Sequence, residues 1–327
     1  MGTTPMNGLH GPAGRIRGAA VLLVFVAALA ACSALPGAPA ASLPAAAFEA
    51  DFLLIGEVHD NAAQHRLRLH WLEALATRHR FAIAFEQFDA VRQEALDRAR
   101  AADATAAGSG EPLAQRAHRI AEAAGFDFRG WHWDYYRPVV ELALQRDLPL
   151  VAANLSRAQT VAVARGSAPA EPQPQGWGAV EEQALEASIR DGHCAMLPES
   201  AIAPMAAAQR SRDAQLARAI VDAHRRVGLP VVLLAGNGHQ RRDIGVPRYL
   251  SKLAPGERVF SIGLLEAEEP GGAEGAGGVD DAVSGDAAAQ RFASRYDFVT
   301  VTPAAAREDP CEALRARVRH RPAAAPQ

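Results

Sequence analysis

"LLAGNGHQRRDIGVPRYL", residues 233–250, joins an apolar run to Gly-Asn-Gly-His and then to a group of arginines. "FLLIGEVHDN", residues 52–61, has the same form: apolar run, glycine, two residues, histidine. A short, continuous apolar run bounded by turn residues reads as a strand buried on both faces, as in a parallel sheet covered by helices. Glycine at the strand end permits a sharp turn and close backbone approach. In an open parallel sheet, ligands bind outside the carboxyl ends of the strands. Each Gly-x-x-His is therefore expected to deliver a histidine, His59 or His239, from a rigid strand end into one shared cleft.

The rest of the chain supports this reading. "FAIAFE" (81–86), "LPLVAAN" (148–154), "LPVVLLAG" (229–236), "RVFSIGLLE" (258–266) and "DFVTVTP" (297–303) are further strand candidates, most of them preceded by a segment of helical period. A helix is expected over 61–79, with Leu67, Trp71 and Leu75 on one face. The fold class that follows is α/β: a mainly parallel central sheet with helices on both faces. Pro138 suits the first turn of a helix, leaving the aromatic residues before it in a loop or a separate turn. Residues 101–111, 165–178 and 268–289, rich in Ala, Gly, Pro and acids, read as surface excursions.

Composition narrows the function. The 327 residues carry a formal net charge of −3, with basic residues scattered and lysine present once, at Lys252. No basic run interleaved with aromatics tracks a phosphate backbone, so nucleic acid is not an expected partner. At the N-terminus, Arg15 and Arg17 precede "AAVLLVFVAALAA", which leads into Cys32. The run is shorter than the roughly 20 residues of a spanning helix, and its form is that of a signal peptide. Leu29-Ala30-Ala31-Cys32 resembles a bacterial lipobox, in which the cysteine takes a diacylglyceryl group. Ser33 after it fits an outer-membrane lipoprotein facing the periplasm.

The expected organisation is a leader over 1–31, the lipidated Cys32 with an Ala/Pro-rich tether over 32–47, an α/β domain over 48–304 and a tail over 305–327. Cys194 and Cys311 remain, in an oxidising compartment, as one disulfide or two free thiols.

Four side chains of the strand ends are the primary candidates. Glu57 and His59 follow the first strand, Glu86 ends the second, and His239 follows the fourth, with Asn154 ending the third. These carboxylates and imidazoles suit a divalent metal or a general-base site. "WHWDYYRP" offers Trp131, His132, Tyr135 and Tyr136, and "DGHCAMLPES" offers His193, Cys194 and Met196. Together these segments would flank a flat apolar ligand. Arg212 and Asp213, neighbours on a helical stretch whose Leu216 and Ile220 face inward, are placed so that either could point to the cleft. His65 lies close enough to the first motif to remain a candidate.

The blocks "LLIGEVHDNAAQHRLR", "AFEQFD", "GHCAMLP", "AQRSRDAQLA" and "LLAGNGHQRRDIGVPRYL" together resemble the ChaN-like haem-binding uptake lipoproteins of the Tiki, TraB and erythromycin-esterase superfamily. The resemblance runs from about residue 50 to residue 303. It implies a Tiki/ChaN-like fold and a lipid-anchored, cell-envelope protein that binds haem in haem or iron acquisition, with a possible homodimer and a haem transporter as partner. It also implies haem held by a tyrosine with a histidine nearby: Tyr135 or Tyr136, with Tyr249 as competitor, alongside His193, Met196 and His239. The superfamily contains hydrolases as well. The alternative is therefore an amide or ester hydrolase, metal-dependent or general-base, working through Glu57, His59, Glu86 and His239. Fold kinship alone does not transfer an activity.

Overall fold

The computed structural model describes residues 42–105, 110–267 and 290–319. The expected leader, Cys32, the first part of the tether and the 268–289 excursion lie outside the described residues. In chain order the elements are α1 (Ala45–Phe48), β1 (Phe52–Ile55), α2 (Ala62–Ala76), β2 (Ala82–Asp89), α3 (Gln93–Thr105), α4 (Leu113–Ala123), α5 (Trp133–Gln145) and β3 (Leu150–Asn154). There follow α6 (Arg157–Ala164), α7 (Ala179–Gly192), α8 (Glu199–Val227), β4 (Val231–Leu234), α9 (Asn237–Gln240), α10 (Pro247–Leu253), β5 (Val259–Glu266), β6 (Phe298–Thr302) and α11 (Pro310–Arg319).

All six strands lie in one sheet, in the order β3-β2-β4-β1-β5-β6, and every pairing is parallel. Alternate residues of each strand feed opposite layers. Leu53, Ile55, Ile83, Phe85, Val232 and Leu234 pack against α2, α4 and α5 through Trp71, Leu72, Ile120, Tyr136 and Val139. Phe52, Leu54, Ala82, Ala84, Val231 and Leu233 pack against α8 and α10 through Leu216, Ala217, Ile220 and Leu250. Burying each large aliphatic or aromatic side chain in such a core contributes about 1.5–3 kcal/mol. The two layers explain why β1 and β4 read as continuous apolar runs rather than alternating ones.

Three boundaries differ from expectation. The folded body starts before residue 48, because Leu43 and Ala47 are already buried in the first layer. At the other end, the segment read as a tail carries α11, and Cys311 is joined to Cys194 by a disulfide. The third difference is α5, which begins at Trp133 with Pro138 inside it. The proline removes one helical N–H, a cost of about 3 kcal/mol or more in a helix interior. Burial of Tyr136, Val139, Val140 and Ala143 on the inward face offsets it.

Candidate functional site

The two Gly-x-x-His segments lock together at the carboxyl edge of the sheet. A Cβ at Gly56 would lie 2.1 Å from Asn237 Oδ1 and 2.9 Å from the Ile262 carbonyl; one at Gly236 would lie 2.9 Å from His59 Nε2. Each motif's glycine thus makes room for the other motif. Asn237 completes the joint: its amide donates to the Leu264 carbonyl at 2.5 Å, its Oδ1 accepts from the Leu264 N–H at 3.0 Å, and its own N–H donates to the Glu57 carbonyl at 3.1 Å. The side chain acts as a short peptide bridge between the ends of β4, β1 and β5.

Glu57, buried just past β1, is the hub of the first half of the site. Its Oε1 accepts from the Tyr136 hydroxyl at 2.6 Å, from His59 Nδ1 at 2.9 Å and from Gln87 Nε2 at 3.4 Å. Its Oε2 faces the guanidinium of Arg68, which is fully buried on α2. Donation from Nδ1 leaves His59 Nε2 turned into the cleft, 4.0 Å from Glu86 Oε2. The imidazole is 40% exposed and meets the ring of Trp131 edge-on at 4.7 Å.

Glu86, on β2, organises the second half. Its Oε2 accepts from the Gly236 N–H at 2.7 Å, and its Oε1 pairs with Arg212 and lies 3.4 Å from His239 Nε2. Asn154 steadies the strand end by donating to the Glu86 carbonyl at 3.0 Å. On the far side of His239, Nδ1 meets Asp213 Oδ1 at 2.5 Å. Burial alone would raise the pKa of Glu86, but His239, His59 and Arg212 outweigh it and hold the carboxyl well below its usual range. Burial works against a charged His239, yet Glu86 and Asp213 on either side raise its pKa above the ordinary value.

Adjacent residues of α8, Arg212 and Asp213, therefore both reach the cleft, one to each partner of the His239–Glu86 pair. The divalent-ion reading fits this arrangement poorly, since each cluster carboxylate already holds a guanidinium that a metal would have to displace. Among the described residues no group of three or more His, Cys, Asp or Glu side chains is placed to bind a metal ion.

The structure distributes the expected haem-binding residues unevenly. Tyr136 is completely buried, and its hydroxyl is taken by Glu57. His239 is buried between two carboxylates, with both ring nitrogens facing them. His193 and Met196 lie in the turn between α7 and α8, where His193 Nδ1 donates to the Ile189 carbonyl at 2.8 Å. Leu197 of that turn packs with Leu185, Ile202 and Ile244, whereas Trp131 packs against the first sheet layer. Tyr135 stands apart: half-buried, its hydroxyl makes no hydrogen bond among the described residues, and its ring stacks on His65 at 4.6 Å with 17° between planes. His132, exposed, lies 5.4 Å from it.

Sequence reading passed over Arg68, Gln87 and Gln209, the last with Nε2 3.1 Å from His239 Nδ1. A signal existed for Arg68, because it falls on the same helical face as Trp71, Leu72 and Leu75, where an arginine needs a buried partner.

The fold is thus a parallel six-stranded sheet between two helical layers, with paired histidines at its carboxyl edge. Residues 43–250 match the family described as haem-binding uptake, Tiki superfamily, ChaN. The chain belongs to that family. Among solved structures it is similar to ChaN of Campylobacter jejuni, determined with cofacial haem, at 21% identity and a TM-score of 0.56 over 69% of this chain and 84% of that one. A weaker likeness, at 12% identity and a TM-score of 0.41, covers 68% of this chain and 71% of an erythromycin esterase mutant in its open conformation. No curated protein matches the chain.

Proposed function

We propose that this protein is a lipid-anchored, cell-envelope haem-binding protein of haem or iron acquisition, with Tyr135 as the iron ligand. Membership of the haem-binding uptake family supports the ligand class. The observation that carries the assignment to Tyr135 is an elimination among the chain's 4 tyrosines. Tyr136 donates to Glu57, Tyr296 donates to the Asn237 carbonyl at 3.1 Å, and the Tyr249 hydroxyl is buried in the second layer. Burial raises the pKa of all three phenols, which opposes the phenolate that iron requires. Tyr135 alone combines partial exposure with an uncommitted hydroxyl.

Anchoring through Cys32 after cleavage of the leader is part of the same proposal and rests on the charged n-region, short apolar run and lipobox-like Leu29-Ala30-Ala31-Cys32. So is placement at the outer membrane facing the periplasm, with a homodimer closing on haem and a transporter receiving it. A haem titration followed by absorbance tests the reading: Tyr135→Phe removes the tyrosinate spectrum, and Tyr136→Phe keeps it.

A second reading is favoured by one observation. His59 is oriented through Nδ1 by a buried carboxylate and turns Nε2 into the cleft toward Glu86, whose other oxygen holds Arg212 and His239, and an imidazole oriented in this way has the geometry of a general base. Hydrolysis of an ester or amide there would use water activated by His59, not a metal. A panel of ester and amide substrates offered to wild type and His59→Ala decides it. Turnover that disappears in the variant supports a hydrolase, and no turnover in folded wild type removes it.

A further inference from the structure

The ring of Tyr135 is held by something other than its own hydroxyl, since that group makes no hydrogen bond among the described residues. What it packs against is His65, in the first turn of α2, and the contact is close to parallel. The His65 ring is itself fixed at both nitrogens. Nε2 lies 2.9 Å from the His59 carbonyl, which can only accept, so Nε2 carries the hydrogen. Nδ1 lies 3.0 Å from Nη2 of Arg68, which can only donate, so Nδ1 carries the lone pair.

Both partners demand the same neutral tautomer. Burial agrees, lowering the His65 pKa from 6.5 to about 4. The groups around this ring are His59 and Asp60 from the β1–α2 turn, Arg68 from α2 itself, and His132, Tyr135 and Tyr136 from α5 and its cap. Its other side meets Tyr136 edge-on at 5.1 Å, and Tyr136 is pinned by Glu57. His65 is thus an immobile, uncharged plate. Its influence on a stacked phenol is one of geometry rather than charge.

We propose that His65 is the positioning residue of the haem-ligand tyrosine, presenting the Tyr135 ring through a stack that is locked by the His59 carbonyl and by Arg68. The inference rests on the reading of Tyr135 as the iron ligand. It adds a specific dependency: the ligand's ring is oriented by the Glu57–Arg68 network of the neighbouring cleft, which acts on it through His65.

Two substitutions separate stacking from hydrogen bonding. His65→Gln keeps polar groups for Arg68 and the His59 carbonyl but has no ring. His65→Phe keeps the ring but leaves both partners unsatisfied. Ferric protoporphyrin IX is titrated into the full chain, with absorbance and resonance Raman spectra of the tyrosinate signature and a melting curve of each haem-free protein. His65→Gln is expected to fold, to bind about tenfold more weakly, a loss at the upper end for one aromatic pair, and to show a shifted tyrosinate band. His65→Phe is expected to melt lower yet keep the wild-type band.

Folded His65→Gln protein with wild-type affinity and spectrum would overturn the inference, and it decides the matter alone if His65→Phe does not fold. Tyr135→Phe run beside them distinguishes the two levels. Its loss of the signature together with unaltered His65→Gln rejects His65 only, while an unchanged Tyr135→Phe spectrum rejects the ligand assignment and the inference with it.

Discussion

Gly56 and Gly236 look equivalent in the sequence, each ending an apolar run before x-x-His, but the structure makes them unequal. At Gly56 an added methyl would meet the Asn237 side chain and the Ile262 backbone carbonyl, both committed to hydrogen bonds that join β1, β4 and β5. At Gly236 it would meet the imidazole of His59, which is partly exposed and can move. Gly56→Ala should therefore cost several kcal/mol, in the range of a broken buried network or overpacked core. Gly236→Ala should cost about 1 kcal/mol, the low end for overpacking, because the neighbour is a side chain that can give way, while displacing His59 from Glu86. Denaturant unfolding of both variants, with the His59 ring followed by NMR, checks the contrast. Equal destabilisation would show that the two motifs do not interlock as described.

Sequence could not decide between Tyr135 and Tyr136, which are adjacent and chemically identical: only the start of α5 at Trp133 turns one hydroxyl inward to Glu57 and the other ring toward His65.

At the scale of elements, the strands were legible because a strand covered on both faces has no polar side to disguise it. Every expected strand appears, and the observed termini place Glu57, Glu86, Asn154 and His239 at one edge, as reading outward from the two histidine motifs implies. Helix boundaries were less legible. Tertiary burial overrode the proline rule in α5, and α8 extends over 29 residues through Pro204 to Gly228, whose φ of 64° ends it. The C-terminal helix lies in a segment whose sequence reads as a tail, and a covalent bond joins it to the body. Cys311 joins the α7–α8 turn, and upstream Arg307 pairs with Asp60 and Glu266.

This places residues 303–311 along a path from the end of β6, past the β1–α2 turn, to the start of α8. The disulfide spans 117 residues of sequence. A chain-entropy account assigns a loop of that length about 5 kcal/mol, an upper figure where strain or residual structure intervenes. Cys311→Ser should lower unfolding stability by about 2–5 kcal/mol and open the C-terminal segment to protease, leaving the sheet intact. Unchanged stability and protease resistance would mean that α11 is held by packing alone.

For the whole molecule, one sheet edge serves two neighbouring chemical environments. The strand-end cleft is charged and buried, its carboxylates paired with Arg68, Arg212 and the two histidines, with the exposed face of His59 as its opening. Beyond Trp131 lies the aromatic face with Tyr135, His132 and their support. The Glu57–Arg68–His65 series joins them through hydrogen bonds and ion pairs, so the cluster that suggests hydrolysis also forms the foundation beneath the tyrosine. Sequence motifs identified the family and the cleft because those residues sit in short segments at strand ends. The division of labour between tyrosines was not legible, since it depends on which side of a helix meets a carboxylate far away in the chain.

The measurement that tests the central claim most directly is a haem titration of the full chain as wild type, Tyr135→Phe and Tyr136→Phe, read by absorbance alongside the melting curve of each haem-free protein. A tyrosinate spectrum is expected in wild type, and its loss, without loss of stability, in Tyr135→Phe. Tyr136→Phe should keep the spectrum but melt lower, because buried Glu57 loses the hydroxyl that donates to it at 2.6 Å. An unchanged spectrum in Tyr135→Phe, or its disappearance in folded Tyr136→Phe, would contradict the assignment.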